Sequence, residues 1–467
     1  MKLMDPLDAV MMIGEVLSNP MHAGALLIMS PPGDAGPGYI DELYRDGLID
    51  GDELDPRLRR RPHCGADTLG MWVWQDVDNV DMREHLQRRT LPEGSGDDAL
   101  WRLVGDLHTE RLDRTRPLWM TYLIDGLPSG RFAFYVKVHH IVVDGVAGMQ
   151  MIGDALTTDR GRRSMKPFYA AGPHAPVHHA GTRPIANPLA ALRSVVGTAV
   201  SSIGFLRQVA GGEVSYIVGG LARGTTVLPL GAPFTRLNGR LDAQRVAAGG
   251  IWPRKRFTAV QEAAGVSTND VIMAVVAGVL RSWLSGLDEL PKRSLVACCP
   301  ITVRVSGDKR QAEHANLFGL ELCRLGTDLE DPAERLASIH RAMVWAKQQV
   351  ATHGSGATTL LAAPAIAPTA LQSMIPFGPR WRTGYNLPIS NVRGPQEDMY
   401  FNGAHLDEIY PVSTVFDGLA LNATVCSYVD RVAFGYVAGR DAVPDIESFI
   451  PLTERSLAEL ESAVAAR

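Results

Sequence analysis

Apolar residues along this chain alternate between two rhythms. The stretches "MHAGALLIMS" and "FAFYVKVHH" are apolar runs of strand length bounded by proline or glycine, and they predict β-strands. "DALWRLVGDLHTERL" spaces its apolar residues for a helix, and "VAGMQMIGDALTT" predicts another directly after Asp144-Gly145. The same alternation returns beyond residue 240. "STNDVIMAVVAGVLRSWL" predicts a helix with Ser267 or Thr268 as N-cap and Asp270 in its first turn. "SLVACCPITVRV" and "LNATVCSYVDRVAFGYVAG" are β-rich, and "DPAERLASIHRAMVWAKQQV" predicts a long helix. Two mixed α/β units follow, residues 1–160 and 240–467, which could be structural duplicates without obvious shared sequence. Residues 161–239 read as a linker rich in Pro, Gly and Arg that leads into an amphipathic stretch. There Leu192, Val195, Val196, Ala199, Ile203 and Leu206 share one helical face, which either packs on a domain or lies on lipid.

The totals narrow the function without naming it. A chain of 467 residues exceeds what one hydrophobic core usually supports, in keeping with two units. A formal net charge of -5 argues against a nucleic-acid partner. The five cysteines form no C-x-x-C pair, which fits a reducing compartment and offers no disulfide or metal framework. The N-terminal "MKLMDPLDAVMMIGEVLSNP" carries Asp5, Asp8 and Glu15 where a signal peptide needs an uncharged core. The uncharged apolar-rich span between Arg193 and Arg207 is shorter than the ~18 residues a spanning helix needs. The expectation is a cytoplasmic protein, soluble or peripheral on a membrane.

Several chemistries lack their motif: there is no G-x-S-x-G elbow, no P-loop, no Rossmann fingerprint and no H-E-x-x-H. What stands out is "HHIVVDG", His139-His140-x-x-x-Asp144-Gly145, at the end of an apolar run. A second pair, His178-His179, has no Asp-Gly after it and reads as solvated loop. Neighbouring strand residues point to opposite faces, so two adjacent histidines converge poorly on one metal ion. The same alternation suits a single base: one ring turns to an open site while the other packs into its own domain. A neutral imidazole can take a proton from a hydroxyl or thiol near pH 7. Asp144 could accept a hydrogen bond from a ring nitrogen, or pair with an arginine and pin the loop. Gly145 would permit a tight exit into the next helix.

These residues resemble the H-H-x-x-x-D-G motif of bacterial wax ester synthase/acyl-CoA:diacylglycerol acyltransferases, in the superfamily that includes chloramphenicol acetyltransferase and peptide-synthetase condensation domains. The resemblance extends over almost the whole chain. Its further segments are "LDAVMMIGEVLSNPMHAGAL", "LDRTRPLW", "STNDVIMAVVAGVLRSWL", "PITVR", "ANLFG", "SNVRGP" and "LNATVCSY". Arg393 departs from it, standing where the family usually has proline.

The resemblance implies two chloramphenicol-acetyltransferase-like α/β subdomains with a substrate tunnel between them. Acyl-CoA enters as co-substrate, with no permanently bound cofactor or metal, and diacylglycerol or a long-chain alcohol is the acceptor. His140 would be the general base, with His139, Asp144 and Gly145 in support and Arg304 as partner of Asp144. Asn269 and Asp270 would help hold a polar group of the substrate or merely cap their helix. Pro117 and Trp119 would shape the tunnel wall or belong to the core. Lys309 and Arg310 would meet CoA phosphates or be simply solvated. Rival readings are a sibling acyltransferase for another lipid alcohol, a catalytically idle coat protein on lipid droplets, and a condensation domain.

Overall fold

The computed structural model describes residues 1–17, 19–172, 227, 230–302, 318–353, 369, 372 and 382–467. The amphipathic stretch 192–206, His178-His179, Arg304, Lys309, Arg310 and Asn316 lie outside them. Two six-stranded sheets organise the chain. The first runs in the order Tyr400–Phe401, Ala404–Val412, His22–Ser30, Phe132–His139, Trp119–Asp125, Leu86–Thr90. The second runs Phe318–Arg324, Val296–Thr302, Leu387–Arg393, Leu421–Tyr428, Arg431–Gly439, Arg245–Pro253. A small sheet of Lys2–Leu3, Val73–Asp76 and Arg60–His63 sits beside the first.

The central strand of the first sheet, Phe132–His139, is buried on both faces. Phe132, Phe134 and Val136 pack with Leu27 and Met29 on one side. Ala133 and Tyr135 pack on the other with Leu26, Ile28 and the helix Asp97–Thr109. Period-two alternation sends successive side chains to opposite faces, so a strand covered on both sides reads as one continuous apolar run. Lys137 is the exception in that run. Its Nζ donates to Leu107 O at 2.6 Å and Glu110 O at 2.8 Å, closing the C-terminal end of the helix Asp97–Thr109, where free carbonyls favour a cation. Burial pushes its ammonium down to about 8.

The helix Thr268–Gly286 is the core helix of the second unit. It is buried from Asp270 through Leu280 and again at Trp283 and Leu284, as an all-round apolar helix must be. Each fully buried Val or Leu there stabilises the fold by about 1.5–3 kcal/mol. Its N-cap is Ser267, whose hydroxyl accepts from the Asp270 N–H at 3.3 Å while the Asp270 carboxylate accepts from the Ser267 N–H at 2.9 Å.

The two units do not part cleanly at residue 240. Ala404–Val412 leaves the C-terminal unit and pairs antiparallel with His22–Ser30, from Val412 opposite Gly24 to His405 opposite Ser30. It crosses the second sheet where Gly249 and Gly435 face each other in the ladder. A Cβ on Gly435 would stand 1.9 Å from Pro411 O, and one on Gly249 2.2 Å from the Trp101 ring, so these positions accept no larger side chain. Residues of both units, from Leu26 and Tyr135 to Ala247 and Tyr436, therefore form one contiguous core. At the start of the expected linker, Tyr169 is buried beside Trp119, so this stretch belongs to the N-terminal unit's packing.

Candidate active site

Strand Phe132–His139 ends at the first of the paired histidines, and the chain then turns through residues 140–143 into the helix Gly145–Ala155. His139 is completely buried, and its Nε2 is hydrogen-bonded to the Glu15 carboxylate on the helix Pro6–Leu17. Its Nδ1 accepts from the Ile141 N–H at 3.2 Å. A backbone N–H can only donate, so Nδ1 is the unprotonated nitrogen and Nε2 carries the proton given to Glu15. Both ring nitrogens are committed, and His139 has no lone pair left for a substrate.

His140 is the opposite case. Its backbone N–H donates to Met21 O at 2.9 Å, and its side chain is partly exposed. Among the described residues no other residue hydrogen-bonds to its ring. Burial pushes its pKa below the ordinary histidine value, against smaller opposing pulls from a hydrogen bond to its own backbone and from the Asp144 charge. The ring is therefore neutral near pH 7, with a basic nitrogen available.

Asp144 caps the helix that follows, its carboxylate accepting from the Ala147 N–H at 2.8 Å. Its expected pairing with Arg304 falls outside the described residues. Gly145 requires a correction. It has no positive φ, and a Cβ there would meet nothing within 4 Å, so a tight turn is not what calls for glycine. The exit into the helix is made by the cap instead.

The turn rests on a cluster around Trp119. Val142 and Val143 pack into the same buried group as Leu118, Trp119 and Tyr169. The His139 N–H donates to Leu118 O at 2.9 Å, which ties the "RPLW" segment to the histidine strand. Trp119 itself is 1% exposed, donates its indole N–H to Leu58 O at 3.0 Å and stacks on His85 with centroids 4.5 Å apart. Pro117 is buried beside it. Both stand in the floor beneath the turn.

Asn269 and Asp270 make their contacts in the other unit. The Asp270 carboxylate takes the Ser267 N–H and, at 2.9 Å, His340 Nδ1, while its Oδ1 is buried without a partner among the described residues. Asn269 Nδ2 lies 3.5 Å from Met273 Sδ. Behind the histidine strand runs a buried polar seam. His22 donates to His108 O at 2.7 Å, Tyr135 bonds His108 Nδ1 at 2.7 Å, and His108 Nε2 reaches Ser413 O at 3.1 Å across the junction of the units.

The residue that sequence reasoning passed over is Glu15. Its signal was there, one carboxylate in the apolar run "AVMMIGEVL", but it served only as an argument against a signal peptide.

Comparison with known proteins supplies the family. The wax ester synthase/diacylglycerol acyltransferase catalytic domain matches residues 4–272, and the C-terminal domain of the same family matches residues 314–461. A protein of Mycobacterium tuberculosis named for diacylglycerol O-acyltransferase activity is 36% identical over 462 residues, covering 99% of this chain and all of its own length. A second from that organism, similarly named, is 32% identical over 464 residues, with 99% and 100% covered. Among solved structures, the wax ester synthase/diacylglycerol acyltransferase of Marinobacter aquaeolei VT8 superposes with a TM-score of 0.78 at 31% identity, each chain fully covered. The first condensation domain of the CDA synthetase shares the fold alone, with a TM-score of 0.59 at 16% identity over 99% of this chain and 96% of its own. The chain belongs to the wax ester synthase/diacylglycerol acyltransferase family.

Proposed function

We propose that the chain transfers a long-chain fatty acyl group from acyl-CoA to diacylglycerol, a long-chain alcohol, or both, with His140 as general base. The observation that carries the assignment is the contrast within the pair: both nitrogens of His139 are occupied, whereas the neutral ring of His140 is left for the substrate. The acceptor hydroxyl gives its proton to His140 as its oxygen attacks the thioester carbonyl. The carbon–sulfur bond then breaks, and the imidazolium returns the proton to the departing CoA thiolate. Protons balance without a covalent acyl-enzyme, because the thioester is already activated and alignment of the two reactants supplies much of the rate.

Acyl-CoA and the lipid alcohol approach from opposite sides of a tunnel between the two units. The lipid acceptor brings the protein to a cytoplasmic membrane surface or a lipid droplet. Among the described residues no single helix is long and apolar enough to cross a membrane.

The test is an assay with purified protein, long-chain acyl-CoA and either diacylglycerol or hexadecanol, following free CoA and neutral lipid. His140→Ala should lower kcat about 10²–10⁴-fold while the circular dichroism spectrum stays unchanged. Wild-type turnover in that variant would remove His140 from the base position. A wild type silent with every acceptor would instead favour the lipid-coat reading.

A further inference from the structure

We infer that Glu15 is a positioning residue of this site: by holding His139 it fixes the turn that aims His140. The inference rests on the general-base reading above. No bond to another described residue orients the His140 ring, so its direction depends on the backbone that carries it. That backbone is tied on both sides. The His140 N–H is held by Met21 O, and the N–H groups of the next two residues are held by His139, Ile141 by its ring and Val142 by its carbonyl at 2.9 Å. With Nδ1 accepting from Ile141, the proton of His139 sits on Nε2, and Glu15 accepts it and so fixes the ring in that tautomer and orientation.

The location argues against a bystander. Glu15 is 2% exposed, on the helix that also buries Met12 completely. A buried carboxylate is costly unless it meets a specific donor, and leucine would fill the same space without that cost. Its donor here is the residue adjoining the base. Asp8, two turns earlier on the same helix, also lies close enough for its charge to act on His139, but it makes no hydrogen bond to that ring. Glu15 therefore carries the tie.

The test compares Glu15→Leu, which removes the acceptor, with Glu15→Gln, whose amide oxygen can still receive the His139 proton. In Glu15→Leu, kcat should fall about a hundredfold while the KM for acyl-CoA stays within about threefold, the signature of a misaimed base rather than a lost binding contact. Glu15→Gln should recover to within about tenfold of wild-type kcat. Histidine ¹⁵N NMR provides a readout that does not depend on turnover. The wild type should show a downfield, slowly exchanging Nε2–H for His139, and Glu15→Leu should lose it.

A folded Glu15→Leu with wild-type kcat overturns the inference, as does a Glu15→Gln no faster than the leucine variant. If the leucine variant does not fold, the glutamine variant decides by the same tenfold margin. If the wild type transfers no acyl group at all, the acyltransferase reading fails separately, and the NMR comparison alone decides the Glu15 tie. An Nε2–H signal unchanged by Glu15→Leu then refutes it.

Discussion

Glu15–His139 and Asp270–His340 are the same chemical pair in two settings. Each joins a nearly fully buried carboxylate to an imidazole, one in the N-terminal unit and one in the C-terminal unit. In the first, the histidine is completely buried and both nitrogens are engaged. In the second, His340 is 35% exposed, and Asp270 keeps a second donor in the Ser267 N–H. The difference separates a pair locked inside the turn proposed to carry the base from one that trims a helix end. What marks a site is therefore an occupied histidine with an unoccupied neighbour, which the second pair lacks.

Removing the histidine from each pair should break this comparison open. His139→Ala leaves Glu15 buried with no imidazole, and the loss should be about 3–5 kcal/mol in urea unfolding. A loss under about 1 kcal/mol would mean that water reaches Glu15 and that the two settings are alike. Glu321, a third buried carboxylate, sharpens the contrast from the other side, because its Oε1 has no partner among the described residues. Burial alone raises its pKa to about 7 from 4.5. The folded state then binds the proton more tightly than the unfolded state, so stability falls as pH rises from about 4.5 to 7, and the cost is complete above 7. Glu321→Gln should gain about 3 kcal/mol over wild type at pH 8 and nothing at pH 4, as read by urea melts at the two pH values. The smallest effect belongs to His340→Ala. With that ring partly in water and Asp270 still capping its helix, the loss should stay below about 1 kcal/mol. A larger loss would make the Asp270 pair as structural as the first.

Much of this arrangement was legible in the residues. The strand ending at His139, the helix after Asp144 and the helix capped by Ser267 stand where local periodicity and cap chemistry predicted them. The two histidines do separate into one buried and one partly exposed ring, but His140 stands in the turn after the strand, so the end of the strand and not its alternation parts them. Partners far away in sequence were not legible. The carboxylate on His139 lies 124 residues away, and nothing in the spacing around either residue announces the other. The strand Ala404–Val412 fell inside the expected unit 240–467, and nothing local to it says which sheet it joins. Gly145 was misread for a related reason. A glycine after Asp suggests a strained turn, whereas the turn is closed by the Asp144 cap and the glycine backbone is ordinary.

The exchanged strand sets a timetable for the nascent protein. His22–Ser30, whose register partner at His22 is His139, pairs on its other side only with a segment translated ~380 residues later. At 5–20 residues per second the ribosome needs roughly 20–80 seconds to deliver that segment. Until then the N-terminal sheet exposes an unpaired edge of apolar strand, the surface most prone to pairing with a second chain. A complete N-terminal sheet is thus a late event in the life of each molecule, and a chain cut before residue 404 should aggregate through that open edge.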